Sequence, residues 1–202
     1  PKPSSAASDV YKRQQLARLA AEITVQGEDP NVSVIILKSA GEKAFCAGAS
    51  FDELLSITNE QDGKAFFSGF ANVINAMRKA PKLIIAQIQG KAVGGGVGLA
   101  CAADYTLATT AASVKLSELT IGIGPFVISP AVERKIGASA FMQMSINATE
   151  FYSAQWAKEK GMFAEVFENT EELNAATNTL AEKLANYNPE AMRLLLSLIH
   201  IS

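Results

Sequence analysis

The sequence predicts an α/β domain, in which a sheet of buried strands is covered by helices. Short apolar runs rich in β-branched residues, such as Val32–Leu37 and Leu83–Ile88, are typical of buried strands. Segments with apolar residues at helical spacing, such as Gly63–Lys79, lie between these runs. Strands that alternate with helices favour an α/β sheet. A chain of 202 residues is long enough for one domain with a sizeable core.

The elements can be placed in order from periodicity and from the residues that end each run. The first is a helix, Gln15–Val25, with Leu16, Leu19 and Ile23 on one side. Further helices are predicted at Phe51–Ile57, Gly63–Lys79, Gly94–Ala102, Pro130–Ile136, Ala140–Ile146, Ser153–Lys160, Glu171–Asn186 and from Pro189 onward. Further strands are predicted at Tyr105–Ala108, Ser113–Leu116 and Phe163–Phe167, and Ser39–Ala49 is predicted to be a loop.

Composition and charge argue against several classes of protein. The net charge is −2 without any basic block, whereas binding nucleic acid needs clustered Lys and Arg. The longest apolar stretch, Ala92–Ala103, has about 12 residues, whereas a membrane span takes about 20. Cys46 and Cys101 lie far apart without metal-ligand spacing, and the polar start Pro1–Ser8 is unlike a signal peptide. We therefore expect a cytoplasmic protein with reduced thiols.

The residue types present also narrow the chemistry. His200 is the only histidine, which disfavours a Ser-His or Cys-His nucleophile and a zinc site. The run Gly94–Gly98 is neither a P-loop nor a dinucleotide fingerprint, because Leu99 stands where the third glycine belongs. Such a run can place backbone N–H groups at the start of a helix, where negative charge is favoured. Close packing of a glycine-rich turn is the alternative explanation.

A second glycine-centred loop, Lys43–Ser50, follows the predicted strand Val32–Leu37. Its small residues let a ligand approach the backbone. Two such loops, each after a buried strand, can supply two N–H donors to one oxygen. That arrangement is an oxyanion hole.

Three motifs follow one another along the chain. The first is AFCAGA at 44–49, the second is IAQIQGKAVGGG at 85–96, and the third is SELTIGIGP at 117–125. In this order they resemble the motifs of the enoyl-CoA hydratase/isomerase (crotonase-like) family, and the match runs from about Leu16 to Leu195. The resemblance implies the family fold, a spiral of ββα units, truncated at both ends in this chain.

The resemblance also divides the chain. Residues 15–195 are predicted to form a partial crotonase-like acyl-CoA-binding domain. Residues 1–14, which are polar and patternless, are predicted to be a non-native or disordered tail, and residues 196–202 a non-native tail. The family's N-terminal strands and C-terminal trimerising helices are expected to lie outside this chain, and the full-length protein is expected to be a homotrimer or hexamer.

Carried over residue by residue, the resemblance implies a set of site residues. The N–H groups of Ala49 and Gly95 would hold the thioester oxygen, and Glu118 would be the general acid/base. The family's first catalytic glutamate falls at Gly98 and is therefore missing. The substrate-binding residues implied are Ala47, Gly48, Gly94, Gly96, Gly98 and Leu119. Further departures from the family pattern are Ser50 in place of Asp, and Ser129 and Pro130 in place of glycines.

The function expected from the resemblance is acid/base proton transfer on an enoyl-CoA thioester, through an enolate stabilised in the oxyanion hole. A single glutamate favours double-bond isomerisation over hydration, because one carboxylate can move a proton from the α to the γ carbon. Two alternatives stay open: thioester hydrolysis on the same scaffold, and a non-catalytic acyl-CoA-binding subunit. The expected partner is the acyl-CoA substrate, without nucleic acid or membrane. No metal or separate cofactor is expected, because CoA is part of the substrate.

Overall fold

The computed structural model describes residues 13–200, which form two β-sheets surrounded by helices. The strands are β1 (Val34–Lys38), β2 (Ala44–Cys46), β3 (Leu83–Ile88), β4 (Lys91–Val93), β5 (Tyr105–Thr109), β6 (Ser113–Lys115), β7 (Tyr152–Ser153) and β8 (Glu165–Phe167). The helices are α1 (Arg13–Glu28), α2 (Phe51–Leu55), α3 (Glu60–Lys79), α4 (Gly95–Ala102), α5 (Ser129–Ile146), α6 (Ala154–Glu159), α7 (Thr170–Ala185) and α8 (Pro189–Ile199). A 3-10 helix spans Glu118–Ile121. The predicted α/β class is confirmed.

Each turn of the chain contributes one strand to each sheet. The first sheet is parallel and has the order β1-β3-β5-β8, with Ile85 opposite Ile36 of β1 and Tyr105 of β5. The second has the order β2-β4-β6-β7, in which β7 alone runs antiparallel to its neighbour. Two consecutive strands, one from each sheet, come before each of three helices: β1 and β2 before α3, β3 and β4 before α4, and β5 and β6 before α5. This arrangement is the repeated ββα unit of the expected spiral.

In each ββα unit the chain passes from the first sheet to the second at a corner, and polar side chains join each corner to the next. Ser39, Gln89 and Thr109 stand at the ends of β1, β3 and β5. Gln89 Nε2 donates to Ser39 Oγ (2.7 Å) and to the Ala44 carbonyl (2.9 Å). Thr109 Oγ1 in turn donates to the Gln89 carbonyl (2.9 Å). Gln89 and Thr109 are buried, so these bonds form without competition from water.

The predicted loop Ser39–Ala49 contains strand β2, and β4 lies where no strand was predicted. Both strands are only three residues long, which is too short to show a period-2 pattern. They pair with each other across a long stretch of sequence, with Ala44 opposite Lys91. Tertiary pairing rather than local pattern therefore defines the second sheet.

The two helices predicted at Pro130–Ile136 and Ala140–Ile146 belong to one element, α5, which is broken at Gly137. Gly137 has φ 78° and ψ 158°, a conformation that glycine adopts at little cost. Ser129 and Pro130 begin this helix. Proline suits the first turn because its φ is already helical and its missing N–H would have no partner there.

Helix α4 lies inside the core. Every residue from Gly96 to Ala102 is buried, as expected of an apolar helix enclosed by protein on all sides. Helices α3 and α5 pack against it, and its first turn follows β4 directly. The second sheet and the two neighbouring helices together fix the position of its N-terminus.

The predicted tail boundaries fall within helices. Helix α1 begins at Arg13 and α8 runs through Ile199, while residues 1–12 and 201–202 lie outside the described part. Whether residues 1–14 and 196–202 are native stays a prediction. Between residues 13 and 200, no helix is both long enough and apolar enough to cross a membrane.

Candidate active site

A cavity of about 250 Å³ lies at the N-terminal end of α4. It is enclosed by the loop after β2, the turn before α4, the 3-10 helix with the loop that follows it, and the aromatic face of α3. The predicted site residues that line it are Ala47, Gly48, Ala49, Gly94, Gly95 and Glu118. Three motifs that are far apart in sequence therefore meet in one place.

Glycine is required where the two loops approach each other. Gly48 has φ 93°, and a Cβ there would lie 3.2 Å from the carbonyl oxygen of Val93. Gly94 has φ 54°, and its N–H donates to the Lys115 carbonyl (2.9 Å). Both backbone conformations are disfavoured for residues with a side chain. The positive φ angles thus hold the Ala47–Ser50 loop beside the turn that begins α4.

The first turn of α4 turns its backbone toward this cavity. Gly94 is the N-cap and makes no side-chain cap bond, and Gly95 is the first helical residue. The first N–H groups of a helix lack the usual partner four residues earlier and form the positive end of its dipole. Here the Val97 N–H donates to the Gly94 carbonyl (2.9 Å). A Cβ on Gly95 would lie 2.4 Å from the ring of Phe70, so the aromatic ring rests directly on this glycine. Gly95 therefore lies between the cavity and the ring of Phe70.

Glu118 projects into the same cavity from the first residue of the 3-10 helix. Among the described side chains, its Oε2 is the one buried polar atom without a hydrogen-bond partner. Its Oε1 lies 3.0 Å from the position that a Cβ on Gly94 would take. Burial raises the pKa of Glu118 above its ordinary value, and a hydrogen bond from its own backbone partly opposes that shift. An unpartnered carboxylate is costly to maintain, which is typical of a functional group.

The position of the family's first catalytic glutamate is filled by protein. A Cβ on Gly98 would lie 2.5 Å from Ile128 Cγ2 and 3.3 Å from Ile74 Cδ1. Glu118 is the only ionisable side chain among the described residues that line the cavity. The site therefore offers one carboxylate.

The remaining predicted site residues lie elsewhere. Gly96 and Gly98 are buried behind the cavity, and a Cβ on Gly96 would lie 2.5 Å from the Cys46 carbonyl oxygen. Leu119 is 51% exposed and faces an adjoining apolar depression of about 720 Å³. That depression shares Phe67 and residues 123–127 with the cavity.

Several further residues line the cavity. Phe66, Phe67 and Phe70 of α3 form one wall. Ile121, Ile123, Phe126, Val127 and Ile128 also line it and were not predicted as site residues. Ile121 ends the 3-10 helix, and the residues after it lie in irregular chain without periodicity.

Other chemistry finds little support in the described residues. Within them, no cluster of three or more His, Cys, Asp or Glu side chains is arranged to hold a metal ion. His200 lies beside Asp104, with Nε2 2.9 Å from Oδ1, and does not line the cavity. Burial raises the pKa values of Cys46 and Cys101 to about 12, so neither thiol is a ready nucleophile.

The family model for enoyl-CoA hydratase/isomerase matches residues 12–201. This chain belongs to the enoyl-CoA hydratase/isomerase family. The assignment agrees with the three motifs and with the meeting of their residues around one cavity. A crystal structure of the enoyl-CoA hydratase from Bacillus anthracis superposes with a TM-score of 0.85 at 34% identity, covering 92% of this chain and 71% of that one. The predicted crotonase-like fold is thereby confirmed.

Curated relatives of this family member include both hydratases and isomerases. The mitochondrial methylglutaconyl-CoA hydratase of Mus musculus is 32% identical over 190 residues, covering 92% of this chain and 60% of the relative. The peroxisomal Delta(3,5)-Delta(2,4)-dienoyl-CoA isomerase of Arabidopsis thaliana is 28% identical over 180 residues, covering 82% and 63%. The chain thus spans about three fifths of the length of these relatives.

Proposed function

We propose that this chain carries the catalytic centre of an enzyme that moves the double bond of an enoyl-CoA thioester. The observation that carries this proposal is the buried Oε2 of Glu118, which has no hydrogen-bond partner and belongs to the single carboxylate of the cavity, next to the glycine turn that begins α4. The thioester oxygen would accept hydrogen bonds from the N–H groups of Ala49 and Gly95. Glu118 would then face the α carbon of the substrate.

The proposed reaction begins with removal of the α proton by ionised Glu118. The electrons of that C–H bond move onto the thioester oxygen and form a dienolate, which the two N–H donors stabilise. Such donors contribute about 3–4 kcal/mol each in acyl-transfer enzymes, because they are already oriented in a site shielded from water. Protonated Glu118 then returns the proton to the γ carbon, and the double bond moves from the 3 to the 2 position.

The raised pKa of Glu118 suits both halves of this cycle. A carboxylate with a higher pKa is a stronger base toward the weakly acidic α proton. The cavity wall beside Glu118 is apolar and includes Phe67, Phe70 and Ile121. Such a wall keeps water away from the enolate. Proton transfer by one positioned group typically contributes about 10²- to 10⁴-fold to the rate.

Isomerisation is favoured over hydration because of the residues around Gly98. Adding water across the double bond needs one group to position or deprotonate the water and another to protonate the carbon. The place of a second carboxylate is occupied by Ile128 and Ile74. Hydration is the second candidate, because the mouse relative is named a hydratase. The oligomeric state and the location in the cell stay predictions.

The test compares isomerisation and hydration in the full-length protein. Glu118→Gln should lower conversion of a 3-enoyl-CoA to the 2-enoyl-CoA by about 10²- to 10⁴-fold. Exchange of the α proton with deuterated water should fall in parallel. Glu133→Gln, an exposed glutamate outside the cavity, is the matched control and should keep full activity. Strong hydration that survives in Glu118→Gln would contradict both the single-base mechanism and the preference for isomerisation.

A further inference from the structure

The end of α4 remote from the cavity poses a hydrogen-bonding problem. The last four carbonyl groups of a helix have no partner within it, and this helix end is buried, so water does not satisfy them. Thr106 on β5 satisfies one of them, since its Oγ1 donates to the Ala100 carbonyl (2.8 Å). The chain just beyond the helix presents two more carbonyls, those of Ala103 and Asp104.

Lys135 of α5 binds both of those carbonyls. Its Nζ donates to Ala103 O (3.0 Å) and to Asp104 O (3.1 Å). The Asp104 side chain in turn accepts from the Ile84 N–H (2.8 Å), which ties the same point to β3. Burial lowers the pKa of Lys135, while Asp104 favours its charged form and Arg134 opposes it. A partly buried ammonium group at a helix C-terminus also complements the negative end of the dipole.

Helix α4 connects this end to the turn that lines the cavity. It has eight residues, which corresponds to about 12 Å, and no proline interrupts it. Gly96 rests on the Cys46 carbonyl and Gly98 rests on Ile128, so the helix has no room to slide. Loss of the hold at the remote end would therefore tilt the helix about these contacts and turn Gly95, which lines the cavity.

We propose that Lys135 is a positioning residue for the reaction, which holds α4 so that the Gly95 N–H stays directed at the thioester oxygen. This inference rests on the proposed function, because it needs an acyl-CoA carbonyl in the cavity. Lys135 itself does not line the cavity and acts through the helix. A residue with only a stabilising role would leave the polarisation of the carbonyl unchanged.

The experiment measures the carbonyl stretch of a bound thioester in the full-length protein. The probe is saturated butanoyl-CoA with ¹³C at the carbonyl, followed by isotope-edited infrared spectroscopy. Hydrogen bonds from an oxyanion hole lower this frequency. In Lys135→Met, which keeps the length of the side chain but removes its donors, the lowering should be smaller. The kcat for isomerisation should fall about 10- to 100-fold with little change in KM, because a displacement near 1 Å costs about that much.

Three further variants complete the design. Lys135→Arg keeps donors and charge and should recover most of the shift and of kcat. Thr106→Val removes the neighbouring bond to the same helix end and should move both quantities in the same direction, by less. Thr177→Val removes a buried hydroxyl bond to Leu173 O in α7, outside the cavity, and should move neither.

The outcomes separate the two proposals. A wild-type protein that gives no bound-thioester band would overturn the proposed function. A wild-type band at lowered frequency, with the same frequency and kcat in Lys135→Met, would overturn the role of Lys135. If Lys135→Met does not fold, unchanged frequency and kcat in folded Thr106→Val would overturn it instead.

Discussion

Gly94 and Gly95 line the cavity, whereas Gly96 and Gly98, in the same run of sequence, lie behind it and are enclosed by protein. The first pair shapes the turn and, in the proposed function, supplies backbone N–H to the substrate. The second pair makes room for the Cys46 carbonyl and for Ile128. Close packing, the alternative explanation of this glycine run, is seen at Gly96 and Gly98, whereas ligand approach at Gly94 and Gly95 stays a prediction. The two pairs should respond differently to substitution, one in activity and the other in stability.

The largest expected effect is the loss of the N–H donor at Gly95. Gly95→Pro removes that N–H, but its ring would also meet Phe70, which lies 2.4 Å from a Cβ there. Phe70→Leu makes room, so Gly95→Ala and Gly95→Pro are compared in the Phe70→Leu background. The proline variant should have a kcat about 10²- to 10³-fold lower than the alanine variant, as for loss of an oxyanion donor.

Steady-state kinetics and circular dichroism check this comparison. Proline is acceptable at the first position of a helix, so both double variants should keep the wild-type spectrum. Equal kcat values in the two folded variants would remove Gly95 from the oxyanion hole.

A smaller effect, on stability, is expected at Gly98. Gly98→Ala places a methyl group 2.5 Å from Ile128 Cγ2 and should lower the free energy of unfolding by about 1–3 kcal/mol. Ile128→Ala in the same chain should recover part of that loss. Because there is no room, Gly98→Glu alone should not raise hydration.

Urea unfolding measures this stability, with Gly63→Ala as the matched control. The Cβ added at Gly63, inside α3, meets only Ile57 at 3.6 Å, an ordinary contact. That variant should gain up to about 1 kcal/mol, since alanine is the better helix residue. A Gly98→Ala protein as stable as wild type would mean that the packing around Ile128 is loose.

The smallest expected effect is the dependence of stability on pH at Glu118. Its pKa is raised in the folded state, so the folded protein holds this proton more tightly than the unfolded chain. That contribution is fully present below the ordinary value of 4.5 and is lost as the pH rises through the raised pKa. Glu118→Gln should therefore match wild type in acid and be more stable than wild type at neutral pH.

Urea unfolding at several pH values between about 4 and 8 tests the sign of this effect. A Glu118→Gln protein that is less stable than wild type at neutral pH would show that ionised Glu118 is well solvated or paired. In activity, kcat/KM should rise with pH through the raised pKa, because the base must be ionised.

Much of the fold could be predicted from local sequence, because its main elements carry their own signals. The strands β1 and β3 are β-branched runs, and the phenylalanine stripe of α3 has helical spacing. In the second sheet β6 was predicted, but β2 and β4 could not be, since they are stabilised by pairing with each other across a long stretch of sequence.

The candidate site divides in the same way. The motifs located Ala49, Gly95 and Glu118, because each lies in a short segment of distinctive residue types. The filling of the Gly98 position by Ile128 lay beyond prediction. Those residues are far apart in sequence, and nothing in either segment indicates that their atoms meet.

The hydrogen bonds of Gln89 restrict where this fold can accept inserted residues. Gln89 binds Ser39 and Ala44 of the preceding unit, and Thr109 of the following unit binds Gln89, so an insertion at any corner would break bonds on both sides. The segment 121–127, by contrast, lines the cavity without belonging to either sheet. In the proposed function, a different acyl group would thus need only a longer or replaced surface loop. Such a change would leave the corners as they are, and with them the spacing between the loop of Ala49 and the helix of Gly95.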